Sequence, residues 1–226
     1  MNKYSKNSLK GEKGMKSKRI GRREREYLTH REEILAAAKK AFAAKGFFPT
    51  TMSDIAKESE FGMGTLYKYF KSKDELFFTL IDNKMEEINR LVKRELSQKT
   101  SAVERIRKVL KSLFEFIERN RDFFRIYISE QNRFEWPVKI QDDLGKVIHG
   151  KMIAYINILV KFMRQGINGG EFKPMDPRDT AHALLGIINS LVIEWLISKE
   201  YYPLISKLET VLEIFLGGVQ RMERRR

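Results

Sequence analysis

The chain contains no cysteine, which excludes disulfides, thiol chemistry and thiolate zinc sites and fits an intracellular setting best. Its three histidines, His30, His149 and His182, lie far apart, and none belongs to a metal-binding spacing such as HExxH. Each is expected to be a surface or interface residue. No GxSxG or phosphate-loop pattern occurs, and Gly166, Gly169 and Gly170 follow a helical stretch rather than a strand, so a dinucleotide-binding reading is unsupported. Asp142-Asp143 and Glu86-Glu87 are adjacent pairs that point in different directions, unsuited to sharing a metal or a proton. The expectation is a protein that is not an enzyme, with no catalytic residue, metal or cofactor.

Long apolar runs are also lacking. The best candidate, Leu184 to Ile197, is interrupted by Asn189, Ser190 and Glu194 and falls short of the roughly 18 residues that span a bilayer. The basic start has no apolar stretch behind it, so neither a secretory signal nor a membrane partner is expected. Strand-like alternation is absent, and no hairpin dipeptide separates two apolar runs.

What is present is helical periodicity in a chain whose 42% hydrophobic content suffices for one large or two modest cores. Ile34, Leu35, Ala38, Ala41 and Phe42 stripe a first helix from about Tyr27 to Lys45, with Gly46 as its stop. Ser72 with Glu75 is a capping box that opens a long helix to about Gln98, striped by Phe77, Ile81, Met85, Ile88 and Val92. Further helices are expected at Val103–Arg119, Asp122–Glu130, about Val138 to Gln165, Thr180–Ser198 and Leu204–Val219. The middle of the Val138 to Gln165 segment, Met152 to Val160, is almost wholly apolar, which implies burial on more than one face. The fold class is all-α, with about nine helices.

The most informative stretch is TMSDIAKESEFGMGTLYKYFK, Thr51 to Lys71. Thr51 occupies an N-cap position with Asp54 three residues on, and Ile55 and Ala56 supply an inward face. Ser59 and Glu60 form a turn, Phe61 plugs it, and Leu66 and Phe70 anchor a second helix on the same core. Met63, Thr65, Tyr67, Lys68 and Tyr69 are left facing outwards, where a duplex offers phosphate oxygens for hydroxyls and lysine and thymine methyls for apolar edges. This is the layout of a helix-turn-helix (motif 52–71); a plain helical hairpin with solvated tyrosines is the alternative.

Acidic residues number 30 against 44 basic ones, a net charge of +14. From Met1 to Tyr27 ten Lys and Arg stand against three Glu, a balance of +7. Residues 1–26 are therefore expected to form a basic arm, disordered in the free protein and becoming helical from about Gly21. Such an arm suits phosphates or a minor groove. A solvated tail is the alternative, and an anionic membrane surface is a third, disfavoured because nothing apolar is there to insert.

The order and spacing of AAKKAFAAKGFFPTTMSDIAKESEFGMGTLYKYFKSKDELF resemble the N-terminal domain of the tetracycline-repressor (TetR/AcrR) family of bacterial transcription regulators, over roughly Thr29 to Ile88. The resemblance implies a helix-turn-helix domain over 27–73 and a ligand-binding and dimerisation domain over 74–226. It implies phosphate contacts at Thr50 and Thr51, groove contacts at Met63, Gly64, Thr65, Tyr67, Lys68 and Tyr69, and a phosphate clamp at Lys73, where a bound phosphate would offset a cation at a helix N-terminus. The family usually has Gly in the turn where this chain has Glu60, and a left-handed conformation there would cost about 1 kcal/mol.

The resemblance further implies a homodimer on a palindromic operator, since one such helix reaches only about four to six base pairs. The two C-terminal helices would form a four-helix bundle with their partners. Leu184, Gly186, Ile188, Leu208, Val211, Leu212 and Phe215 are nominated for that interface, burial of both stripes within one subunit being the alternative. A cavity for a small hydrophobic or amphipathic effector is expected between the middle helices. Phe116, Phe123, Tyr127, Phe134, Trp136, Tyr155, Phe162, Asn189 and Trp195 are nominated to line it, because aromatic anchors with sparse polar groups suit such ligands; core packing is the alternative for each. The implied function is a cytoplasmic, nucleoid-associated, ligand-responsive repressor of transcription that binds double-stranded DNA. The competing reading is an all-α protein that binds nucleic acid or an anionic surface nonspecifically through its arm.

Overall fold

The computed structural model describes residues 21–131 and 143–219, with side chains at 21–128 and 150–219. The first 20 residues of the arm, Phe134, Trp136 and the expected helix start at Val138 lie outside the described residues. Nine α-helices and a single 3-10 turn make up the described chain, with no sheet among these residues.

Helix α1 runs Arg22–Lys45, five residues earlier than its apolar stripe indicated. Its first turns carry charge all round and no buried side chain, and Arg22 pairs with Glu26 one turn on at 2.8 Å, so the helix continues where the stripe does not. Residues 22–26 thus belong to this helix, which starts where the arm was expected to become helical, at about Gly21. Helix α2 (Met52–Ser59) starts at a complete capping box. Thr51 Oγ1 accepts from the Asp54 amide at 3.1 Å, and Asp54 Oδ2 accepts from the Thr51 amide at 2.9 Å.

Helix α3 (Met63–Tyr69) is followed by α4 (Lys73–Leu96), whose N-cap Ser72 accepts from the Glu75 amide at 3.1 Å. The return bond from Glu75 goes to the Lys71 amide at 2.8 Å, one residue before the position a standard capping box uses. α4 belongs to both halves of the molecule. Its Phe77 meets Phe42 edge-on and Phe47 at a ring distance of 4.7 Å, closing the core under α1, while farther along it packs on α5 (Ala102–Arg119) and α7 (Asp143–Asn168).

Helix α6 (Arg121–Gln131) lies against α1 and α8 (Pro177–Ile197), and α9 (Leu208–Val219) follows a 3-10 turn at Leu204–Lys207 that takes the first turn of the expected last helix. The loop after α7 ties three helix ends together. Glu171 Oε2 accepts from the Ala102 amide at 2.6 Å, capping α5, and the Lys173 amide donates to Val219 O at 2.7 Å, closing α9. Gly166 lets Phe172 fold back onto α7, since a β-carbon there would stand 2.4 Å from that ring.

α8 corrects the expectation about apolar runs: its 21 residues include an 18-residue window of mean hydropathy 1.6, enough by length and composition to cross a membrane. Asp176 caps it and Pro177 opens it, so the helix begins seven residues before Leu184. Asn189, Ser190 and Glu194 interrupt the hydropathy without interrupting the helix, because they are exposed on its outer face.

Candidate nucleic-acid interface and effector domain

Leu66 and Phe70 are fully buried, each contributing about 1.5–3 kcal/mol of burial to hold α3 on the core. The opposite side of the helix is open: Met63, Gly64, Tyr67 and Lys68 are exposed and Thr65 is half-buried. Tyr67 leaves 48% of its surface in water, more than burial of an aromatic ring in its own subunit would permit. A β-carbon added at Gly64 would meet nothing within 4 Å, so the free fold does not require glycine there.

Glu60 adopts φ 57° and ψ 18° at the end of α2, the left-handed conformation that its turn position demands. It is the one non-glycine residue with positive φ among the described residues. The nearby cap is supported electrostatically, because the Lys45 ammonium 2.5 Å from Asp54 and the Thr51 amide together hold the Asp54 carboxyl far below the usual carboxylate range.

Three residues expected to contact DNA are engaged within the free protein. Thr50 is only 1% exposed, and its hydroxyl donates to Gly46 O at 2.6 Å, so it fastens the loop before α2 rather than facing a phosphate. Lys73 donates to the carbonyl oxygens of Phe47 and Phe48, both at 2.8 Å, and stands 4.5 Å over the Phe47 ring. In the free protein those carbonyls offset the cation at the start of α4. Tyr69 does not face outwards: it is half-buried against α1, stacked on Tyr27 and 3.0 Å from His30 Nδ1. Thr51 is exposed, with its hydroxyl donating to Asp54 Oδ2 at 2.8 Å.

Sequence reasoning missed Tyr27, His30 and Lys45. The signal for the first two was available, since His30 and Tyr27 extend the Ile34 stripe backwards by four and seven residues.

In the second half, α5 and α6 bring Phe116, Phe123 and Tyr127 together around Phe124, with Phe123 and Tyr127 stacked at 6.3 Å. Tyr155 is half-buried on α7, where burial pushes its phenol above the ordinary tyrosine range. Three nominees are corrected. Trp195 is buried and donates to Tyr202 O at 2.7 Å, and Phe162 lies between Phe172 and the Arg105 guanidinium; both are core. Asn189 is exposed on α8. A hollow of about 470 Å³ between α1 and α2, bordered by Glu33, Lys40, Glu58 and Phe61, is open, and none of the nominated aromatics lines it.

α4 is gripped by the effector half at two places. Lys151 on α7 reaches Asp82 at 2.5 Å and Glu86 at 2.7 Å. Desolvation opposes its charge, but the two carboxylates outweigh this and raise its pKa above the ordinary lysine value. Near the other end Glu95, itself buried, takes Arg94 at 2.6 Å, Gln98 at 2.5 Å and Ser112 of α5 at 3.3 Å.

The nominated interface is corrected in its face. Leu184, Ile188, Val211, Leu212 and Phe215 are buried within the subunit, and Leu208 is half-buried. Gly186 alone of that set is exposed. The apolar surface left open lies on the opposite sides of the same helices, at Ile193, Ile197 and Ile214, the last 57% exposed.

Comparison with known proteins accords with both halves. Residues 34–80 match the model for bacterial regulatory proteins of the tetR family, and residues 99–196 match the tetracyclin repressor-like C-terminal domain. The fatty acid metabolism regulator protein of Bacillus subtilis is 24% identical over 188 residues, covering 83% of this chain and 94% of that protein. The crystal structure of the regulator FadR from Bacillus subtilis in complex with stearoyl-CoA superposes with a TM-score of 0.69 at 25% identity, over 83% of this chain and 98% of that one. The fatty acid degradation regulator FadR from Bacillus halodurans gives 0.71 at 22% identity, over 83% and 98%. A helix-turn-helix with an open reading face, joined through α4 to a helical domain of matching type, places the chain in the tetR family of bacterial regulatory proteins, as a ligand-responsive DNA-binding regulator of transcription.

Proposed function

We propose that the chain is a cytoplasmic repressor that binds a palindromic operator as a homodimer and leaves it when a long-chain fatty acyl-CoA occupies its second half. The observation that carries the DNA reading is α3, whose buried anchors leave Met63, Gly64, Tyr67 and Lys68 turned to solvent, with Thr65 half-buried beside them. Tyrosine and threonine hydroxyls and lysine suit phosphates, and the apolar edges of Met63 and Tyr67 suit base methyls. The dimer is supported by the outer faces of α8 and α9, where Ile193, Ile197 and Ile214 are exposed and Gly186 leaves room for close helix approach. An apolar face on a helix already buried along its other side suits a second copy of the same bundle.

The effector class is supported by the similarity to the Bacillus subtilis regulator that binds stearoyl-CoA, and by the aromatic cluster of α5 and α6. α4 is the connecting element. It is held to α7 by Lys151, to α5 by Glu95 and to the loop before α2 by Lys73, so a shift of the middle helices is transmitted along one rod. A differential affinity of about 1–3 kcal/mol between the two states changes operator occupancy several-fold or more. Stearoyl-CoA, stearate and CoA should be titrated in turn against the protein–operator complex. Release by the thioester alone is expected; survival of the complex at saturating stearoyl-CoA overturns the effector assignment.

A further inference from the structure

α3 has only seven residues, too few for a helix that is stable by itself. Leu66 is its one fully buried residue, and the buried Phe70 follows as the C-cap with extended backbone, φ −141° and ψ 124°. One buried side chain within the helix fixes where it sits but does little to fix its roll. A further contact from the helix itself is needed to set the direction in which Tyr67 and Lys68 point.

Tyr69 supplies that contact. Its ring stacks on Tyr27 of α1 with centroids 4.9 Å apart and planes 28° apart. Its hydroxyl lies 3.0 Å from His30 Nδ1, and the His30 ring also meets the turn residue Phe61 edge-on at 5.1 Å. One turn of α1 thus touches both the recognition helix and the turn that leads into it. Nothing in the core requires a hydrogen bond at this half-buried site, where solvent could satisfy a phenol as well.

We propose that Tyr27 and His30 are positioning residues for DNA readout. They clamp Tyr69, which contacts no base, and through it fix the roll of α3. Readout constellations tolerate only about 10–20° of misorientation, so loss of the clamp weakens sequence recognition more than phosphate attraction. This rests on α3 being the reading helix.

The test uses the full chain, its selected operator and a random duplex of the same length. Tyr69→Phe and His30→Leu each remove one hydrogen bond and are expected to lower operator affinity about fivefold. Binding to the random duplex should stay within about twofold, and the double variant should lose no more than either single change, because both remove the same interaction. His30→Gln, which can still bond the phenol, should restore most of the loss. Amide exchange in DNA-free protein should quicken at α3 in Tyr69→Phe and His30→Leu but not in Tyr67→Ala. Equal losses on both duplexes, with additive effects and unchanged exchange, would show that Tyr69 touches phosphate directly and overturn the proposal. If Tyr67→Ala leaves operator binding unchanged, the reading helix itself is misassigned, a different failure.

Discussion

Replacing Glu60 with glycine should make the protein more stable by about 1 kcal/mol. The magnitude follows from its backbone, held at φ 57° and ψ 18°, where a residue with a β-carbon is strained by about 1–2 kcal/mol. Glycine removes that strain but returns about 0.4–1 kcal/mol by loosening the unfolded chain. The Glu60 side chain is exposed, so little contact is lost. For a chain of this size the net gain corresponds to a rise in Tm of about 2–4 °C. Thermal unfolding should be followed at one protein concentration without effector, since dimerisation and ligand both move Tm. Glu60→Ala is the control: it removes the charge and keeps the β-carbon. If alanine raises Tm as much as glycine, the gain comes from relieving charge, and the backbone argument fails.

Gly64→Ala should raise stability by about 0.5–1 kcal/mol, because a β-carbon meets nothing there, while operator affinity falls if the duplex approaches that face; paired melting and binding curves check both signs. Ile214→Arg should shift the protein from dimer to monomer in light scattering without unfolding it, whereas Leu212→Arg should unfold it, because Leu212 is buried within the subunit. The Asp54 carboxyl is depressed by Lys45 and the Thr51 amide, so its contribution to stability is fully present above about pH 4 and is lost only as pH falls through its lower folded value. Lys45→Met should move the titration of that carboxyl, read by NMR, upwards towards the ordinary range.

Much of the fold was legible because helical signals here are local. The Thr51 box, the Ser72 cap and the stripe of α1 rest on residues three or four apart, and each marks an element the structure contains. What failed to read out was direction. Tyr69 has the same chemistry as Tyr67, yet one packs on α1 and the other faces solvent, a choice made by Tyr27 and His30 some forty residues away. Lys73 looked like a free cation at a helix start, but two loop carbonyls reach it from 25 and 26 residues upstream. In α8 and α9 the apolar residues run almost all round, so a stripe alone cannot say which side faces its own subunit. The stripe alone put the start of α1 five residues late for the opposite reason, as its solvated first turns carry no stripe at all.

The central claim is that α3 reads a specific palindrome. Selection of bound fragments from genomic DNA, run in parallel with the unaltered chain and with Tyr67→Ala, tests it most directly. The account predicts one enriched palindrome, its half-sites about one helical turn apart, preferred by at least about a thousandfold over random sequence and lost in the variant. Uniform recovery of fragments by both proteins, with affinity set by salt alone, would contradict it and leave a nonspecific nucleic-acid binder in its place.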